Sequence, residues 1–125
     1  MHQRLLFCLK LDRELMLKEI EETEKEIIDN SLIANIEPTS EEIKKGFESI
    51  NDKLRDRINR LKSKIEATEA KEKAFLEKLH GIEDPELREI AKAYFIDERS
   101  CEDIGKEYYL ERTTVYKRLK KYFDK

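Results

Sequence analysis

The sequence predicts an all-α fold: a long helical hairpin or coiled coil, followed by a three-helix domain whose last two helices form a helix-turn-helix. Three observations carry this prediction. Charged residues make up 44 % of the 125-residue chain, which has only 3 Gly and 2 Pro, a composition that favours long helices over sheets. Apolar residues recur three and four apart over most of the length, the spacing of one face of an α-helix. Helix start and stop signals then fall at Thr39, Gly81, Asp84 and Ser100.

The first helix is expected from about residue 4 to 30. Leu9, Met16, Ile20, Thr23 and Ile27 sit mostly three or four apart, with Glu and Lys between them. The apolar start Met1–Leu9 reads as the beginning of this helix rather than a targeting segment, because Lys10 and Asp12 interrupt it and no small-residue cleavage site follows. Residues 31–38 break the charge pattern and end in Pro38, so the helix is expected to stop before them.

The second helix opens on a capping box, with Thr39 as N-cap and Glu42 three residues on. Its apolar positions are Ile43, Phe47, Ile50, Leu54, Ile58, Leu61, Ile65, Thr68, Phe75 and Leu79, with a stutter-like irregularity between Leu54 and Ile58. Gly46 is a mild cost within it. Forty helical residues span about 60 Å at about 1.5 Å per residue. The apolar stripe of so long a helix must pack on the first helix, on a second copy of the chain, or on both. Residues 1–81 are therefore expected to form one helical region.

Residues 82–125 form the second expected domain. Gly81 stops the long helix. Asp84-Pro85-Glu86 starts the next one: an Asp cap, Pro at the first helical position, Glu in the first turn. Leu87, Ile90, Ala91 and Tyr94 give its apolar face, and Asp97-Glu98-Arg99 its exit loop. Ser100 caps the following helix, with Asp103 at the capping-box position. The expected core is Leu87, Ile90, Tyr94, Ile104, Tyr108, Leu110, Val115, Leu119 and Tyr122.

Charge is distributed unevenly. The whole chain carries −3, which argues against nonspecific binding to a polyanion. Residues 112–125, however, hold six Lys or Arg against one Asp, a net +5, whereas residues 84–111 hold four basic and nine acidic side chains, a net −5. On the last helix Val115, Leu119 and Tyr122 share one face. The opposite stripe is Thr113, Tyr116, Lys117 and Lys120, flanked by Arg112, Arg118 and Lys121. A helix lying in the DNA major groove needs this arrangement, with cations beside phosphates and polar side chains toward base edges. Basic residues also gather at helix C-termini because the helix dipole favours them, and Lys120, Lys121 and Lys125 fit that role too.

The stretch Ser100–Lys121 resembles the helix-turn-helix of sigma-factor region 4 and of LuxR-type domains, whose pattern runs Ser-x-Glu-Glu-Ile-Ala-x-x-Leu-Gly-Ile-Ser-x-x-Thr-Val-x-x-x-Leu. Ser100, Glu102, Asp103, Ile104, Leu110, Thr114, Val115 and Leu119 occupy matching places. Leu87 and Ala93-Tyr94-Phe95-Ile96 are similar to the helix that precedes this motif. With Ile58–Ile65 in the helical half, the chain resembles the phage-encoded ArpU-like late-gene regulators. The likeness is specific over about 40 residues and architectural over the first 80. It departs at the turn, where Tyr109 and Glu111 stand for the usual Gly and Ser, and at Gly105. Thr113 is an alternative cap for the last helix. The resemblance implies that Arg112, Thr113, Tyr116 and Lys117 face bases. It places Thr114 in the binding helix and Arg118, Lys120 and Lys121 on phosphates.

Other chemistry finds little support. The two histidines, His2 and His80, belong to no Ser/His/Asp set, Gly-rich phosphate loop or HExxH pattern, so no enzyme is expected. Cys8 and Cys101 lie in no metal-binding spacing, so no metal or cofactor is expected, and their isolation fits a reducing cytoplasm. No run of 18 apolar residues predicts a membrane span. The expected function is that of a sequence-specific transcriptional regulator, with double-stranded DNA as partner, a homodimer formed through the N-terminal helices, and RNA polymerase as a further partner. Two alternatives remain: a small terminase-like packaging subunit whose helical arm builds a ring, and a protein-interaction module with a degenerate helix-turn-helix.

Overall fold

A computed structural model describes residues 1–36 and 41–124. Five helices follow in order: α1 Leu5–Ile36, α2 Glu41–His80, α3 Pro85–Phe95, α4 Cys101–Tyr108 and α5 Arg112–Phe123, with no strand among the described residues. The fold is all-α, as its composition and periodicity predict.

The first helix is longer than expected. It continues through residues 31–36, where the sequence suggests a break. Nothing in Ser31-Leu32-Ile33 opposes helical backbone, and the Ser31 hydroxyl donates to the Ile27 carbonyl one turn back, 2.9 Å away. Loss of charge periodicity is a weaker signal than a true breaker. The expected cap at Thr39 and the stop at Pro38 lie outside the described residues.

The chain forms two compact units, one of residues 1–10 and 70–125 and the other of residues 11–69. This division differs from a boundary at residue 81. Both the N-terminal ten residues and the last turns of α2 pack with the short helices, because Met1, Phe75 and Leu79 join one apolar cluster with Ile82, Ile90, Phe95, Ile104, Val115 and Leu119.

In the unit of residues 11–69, α1 and α2 run antiparallel within one chain. Ile20, Ile58, Leu61 and Ile65 are buried at the seam, with Met16 and Ile27 against them. Arg57 pairs with Glu19 toward one end, and Asn30 Nδ2 donates to Asn51 Oδ1, 3.2 Å, toward the other. Asn51 is buried. Its own Nδ2 donates to the Ser31 hydroxyl at 3.3 Å, so both ends of the amide are satisfied. A one-turn slip would strip these bonds from a buried amide, so the pair specifies the register of the seam. Ile28, Leu32, Ile33, Ile43 and Ile50 remain about half exposed.

In the other unit the short helices begin where the caps predict. Asp84 accepts from the Glu86 N–H at 3.0 Å with Pro85 at the first helical position. Ser100 accepts from the Asp103 N–H at 3.1 Å. Gly81 ends α2 without a left-handed residue: its N–H donates to Glu77 and that of Ile82 to Leu79. Two non-glycine residues do adopt positive φ, Glu98 at 54° and Tyr109 at 58°. The first is enclosed by a bond from the Arg99 N–H to the Ala93 carbonyl, 3.0 Å. Gln3 donates to the carbonyls of Tyr94 (3.2 Å) and Arg99 (2.7 Å), satisfying one acceptor that the end of α3 leaves open and one in the loop after it.

The expected core is largely present. Ile90, Tyr94, Ile104, Val115 and Leu119 are buried, while Leu87, Tyr108, Leu110 and Tyr122 are partly buried against them. Leu79, Ile82 and Phe95 complete it. Phe75, Phe95 and Phe123 contribute a ring cluster with centroids 4.8–5.4 Å apart, in edge and stacked arrangements.

Candidate nucleic-acid interface

Helix α5 is fixed in place from below, at its end and at its side. Val115 and Leu119, fully buried, point into the core. At the C-terminal end the Tyr122 hydroxyl donates to the Lys78 carbonyl at 2.9 Å, and the Lys78 ammonium donates to the Phe123 carbonyl at 3.2 Å. At the side the Arg118 guanidinium is gripped by two carboxylates of α3's first turn, Glu86 at 2.7 Å and Asp84 at 3.1 Å. Asp84 uses its other oxygen as the cap of α3, so one residue starts α3 and braces α5. These restraints all lie on one side of α5 and leave its opposite face open.

That face carries the sequence-derived candidates. Arg112, Thr113, Tyr116, Lys117 and Lys120 are exposed together, one stripe at steps of one, three and four. Lys121 is exposed at its edge and Thr114 is half-buried there. Arg118, expected to reach phosphates, stands apart from them on the α3 side in its carboxylate grip. Among the described residues Arg112, Lys117, Lys120 and Lys121 take part in no ion pair. The Lys120 ammonium lies 6.0 Å from the Tyr116 ring centroid, which keeps both on the same open face. Four unpaired cations on three turns of helix form a strong local positive potential in a chain that is acidic overall.

The start of α5 differs from what its sequence suggests. The helix begins at Arg112 with Glu111 as N-cap, so Thr113 lies inside the first turn and is not the cap. Glu111 makes no side-chain capping bond, which leaves the first amides of α5 without one. The turn before it is held by Gly105. Its carbonyl accepts from the N–H groups of both Tyr109 and Leu110, the latter at 2.8 Å, and a β-carbon at this position would overlap the Leu110 carbonyl oxygen. The small residue is thus demanded by close approach of backbone to backbone.

Around α4 the charges are paired. Arg99 binds Asp103 at 2.7 Å and Glu107 at 2.5 Å, and these partners raise its already high pKa. Asp103 therefore serves Arg99 rather than closing a capping box with the Ser100 N–H. Lys106 sits 3.9 Å from Glu102. Of α4 and α5, α5 is the helix that presents cations outside an ion pair.

Two features of the face lie beyond what residue spacing reveals. Cys101 closes a largely apolar cleft of about 420 Å³ with Arg112, Thr113, Tyr116 and Lys117. Burial pushes its thiol pKa up, so it behaves there as a small neutral apolar group. Tyr109 is 95 % exposed at the edge of a second, open groove that includes Lys106 and Arg112. Cys101 and the α5 stripe are brought together only by the packing of α4 on α5, which leaves no mark in local spacing. Among the described residues no three His, Cys, Asp or Glu side chains converge to hold a metal ion, and no helix is long and apolar enough to cross a membrane. No family model, curated protein or solved structure matches this chain.

Proposed function

We propose that the protein is a sequence-specific DNA-binding transcriptional regulator of phage derivation, acting in the cytoplasm without enzymatic activity or a cofactor. The observation that carries this reading is the exposed, unpaired cationic stripe of α5, braced on its other side by a buried core and by the Arg118 clasp. Arg112, Thr113, Tyr116 and Lys117 address base edges in the major groove, and Thr114, Lys120 and Lys121 address phosphates. Arg118 acts indirectly in this scheme, holding α5 at its angle to α3, because its charge is already paired with Asp84 and Glu86.

The half-exposed apolar residues Ile28, Leu32, Ile33, Ile43 and Ile50 support self-association through the N-terminal helices. A dimer presents two recognition helices, which fit adjacent major grooves when they stand about 34 Å apart. Contact with RNA polymerase is the natural further partnership of a regulator of this kind. The same apolar surface serves the packaging alternative, and native mass separates the two: a dimer is expected, and a ring of eight or more subunits would replace the regulator by a packaging subunit.

Base reading is tested by Arg112→Ala. Because Arg112 is exposed and unpaired, its loss leaves the fold intact. Affinity for a selected DNA site is expected to fall by about 1–3 kcal/mol, while affinity for random duplex changes much less. Equal losses on every sequence, measured by fluorescence anisotropy, would refute a base-reading role.

A further inference from the structure

We propose that Tyr109 is a DNA-backbone contact outside the recognition helix, its phenol O–H donating to a phosphate oxygen beside the start of α5. This rests on the reading of α5 as the DNA-facing helix and extends it to the turn. Tyr109 combines two unfavourable features. Its backbone is left-handed, with φ 58° and ψ 38°, a conformation that bulky side chains rarely adopt. Its side chain is also 95 % exposed, so it contributes nothing to the core in return. Glycine would meet the conformational demand of this turn without strain. Strain retained at an exposed aromatic next to a candidate binding surface marks a residue kept for contact rather than for folding.

The surroundings select the chemistry. Tyr109 shares its groove with Lys106 and Arg112 but also with Glu102 and Glu111. A lysine or arginine at this position would be drawn onto those carboxylates, as Lys106 already is onto Glu102 at 3.9 Å. A phenol is neutral and stays available as a donor, and tyrosine hydroxyls are among the groups that contact DNA phosphates. Arg112, three residues on, opens the stripe of α5, so a backbone passing along that stripe reaches the turn. A neutral contact also has a distinctive signature. It adds affinity on every sequence but releases no counterion, so it leaves the salt slope of binding unchanged.

The test compares Tyr109→Gly, Tyr109→Phe and the unaltered protein on a random-sequence duplex, with thermal melting alongside. For Tyr109→Gly the melting temperature is expected to rise by about 2–4 °C as the strain is relieved. Its affinity is expected to fall about three- to ten-fold, the worth of one neutral hydrogen bond. Tyr109→Phe keeps the strain and the melting temperature and loses affinity to a similar extent. In both, the slope of log K against log salt matches that of the unaltered protein. Full affinity in either variant overturns the contact, and a changed slope overturns its neutral character. Absence of any binding by the unaltered protein at low salt is a separate outcome. It removes the DNA reading of α5 and this contact with it.

Discussion

Replacing Lys117, Lys120 and Lys121 together by alanine is expected to weaken binding to duplex DNA roughly 10³-fold at about 0.05 M salt, while helix content and melting temperature stay close to those of the unaltered protein. All three side chains are exposed and none is ion-paired, so their removal breaks no folded-state interaction beyond the 6.0 Å approach of Lys120 to Tyr116. Alanine is also the best helix former, which favours retention of α5. The magnitude follows from counterion release. Each neutralised phosphate contributes about 0.9 to the slope of log K against log salt, so losing the phosphate contacts of Lys120 and Lys121 lowers that slope by about two and affinity about 10²-fold, and losing the base contact of Lys117 adds about another factor of ten. Anisotropy titrations at several salt concentrations measure both quantities. Unchanged affinity and slope would show that the cationic face of α5 is not where a polyanion binds.

Gly105→Val is expected to have the largest effect on stability, about 3 kcal/mol or more. Gly105 is buried in α4, and any β-carbon there overlaps the Leu110 carbonyl oxygen, a backbone atom that cannot rotate out of the way. Relief requires moving the turn, and the turn is held by the two bonds to the Gly105 carbonyl. The damage therefore falls on the geometry that presents α5. Gly46→Ala is the matched control: Gly46 is exposed, mid-helix, with nothing within 4 Å of an added β-carbon, so that change raises helix stability by about 1 kcal/mol. Thermal unfolding of the two variants separates the cases. Equal melting temperatures would show that the turn tolerates a side chain at Gly105.

These expectations differ in how much of their basis can be read from sequence. The starts of α3 and α4 are legible because a cap and its partner lie two or three residues apart: Asp84 with Glu86, Ser100 with Asp103. The apolar stripes of the long helices are legible because periodicity places Ile20 on one and Ile58, Leu61 and Ile65 on the other, whereas their packing on each other within one chain is seen only in the fold. The stripe of α5 is legible for the same reason, with Val115 and Leu119 inward and the cations outward.

What could not be read depends on partners distant in the chain. Arg118 looks like any other cation of α5, and only the fold brings Asp84 and Glu86, more than 30 residues earlier, against it. The packing of residues 1–10 and 70–81 with the short helices rests on long-range contacts such as that of Gln3 with Tyr94 and Arg99, 91 and 96 residues away. The extent of α1 past residue 30 is a different case. A stretch without charge periodicity is not a stretch without helix propensity, and no breaking residue occurs there before Pro38. Glu111 departs from the usual Ser cap, yet α5 still begins directly after it, because burial of Val115 and Leu119 places the helix more strongly than the missing capping bond.

On the proposed function, the outward face of α5 binds double-stranded DNA. Amide chemical-shift mapping by NMR tests it most directly, titrating the protein at low salt with a random-sequence duplex. The largest changes are expected at Arg112, Thr113, Tyr116, Lys117 and Lys120, with small ones across residues 11–69. Absence of changes, or changes concentrated in residues 11–69, would contradict it.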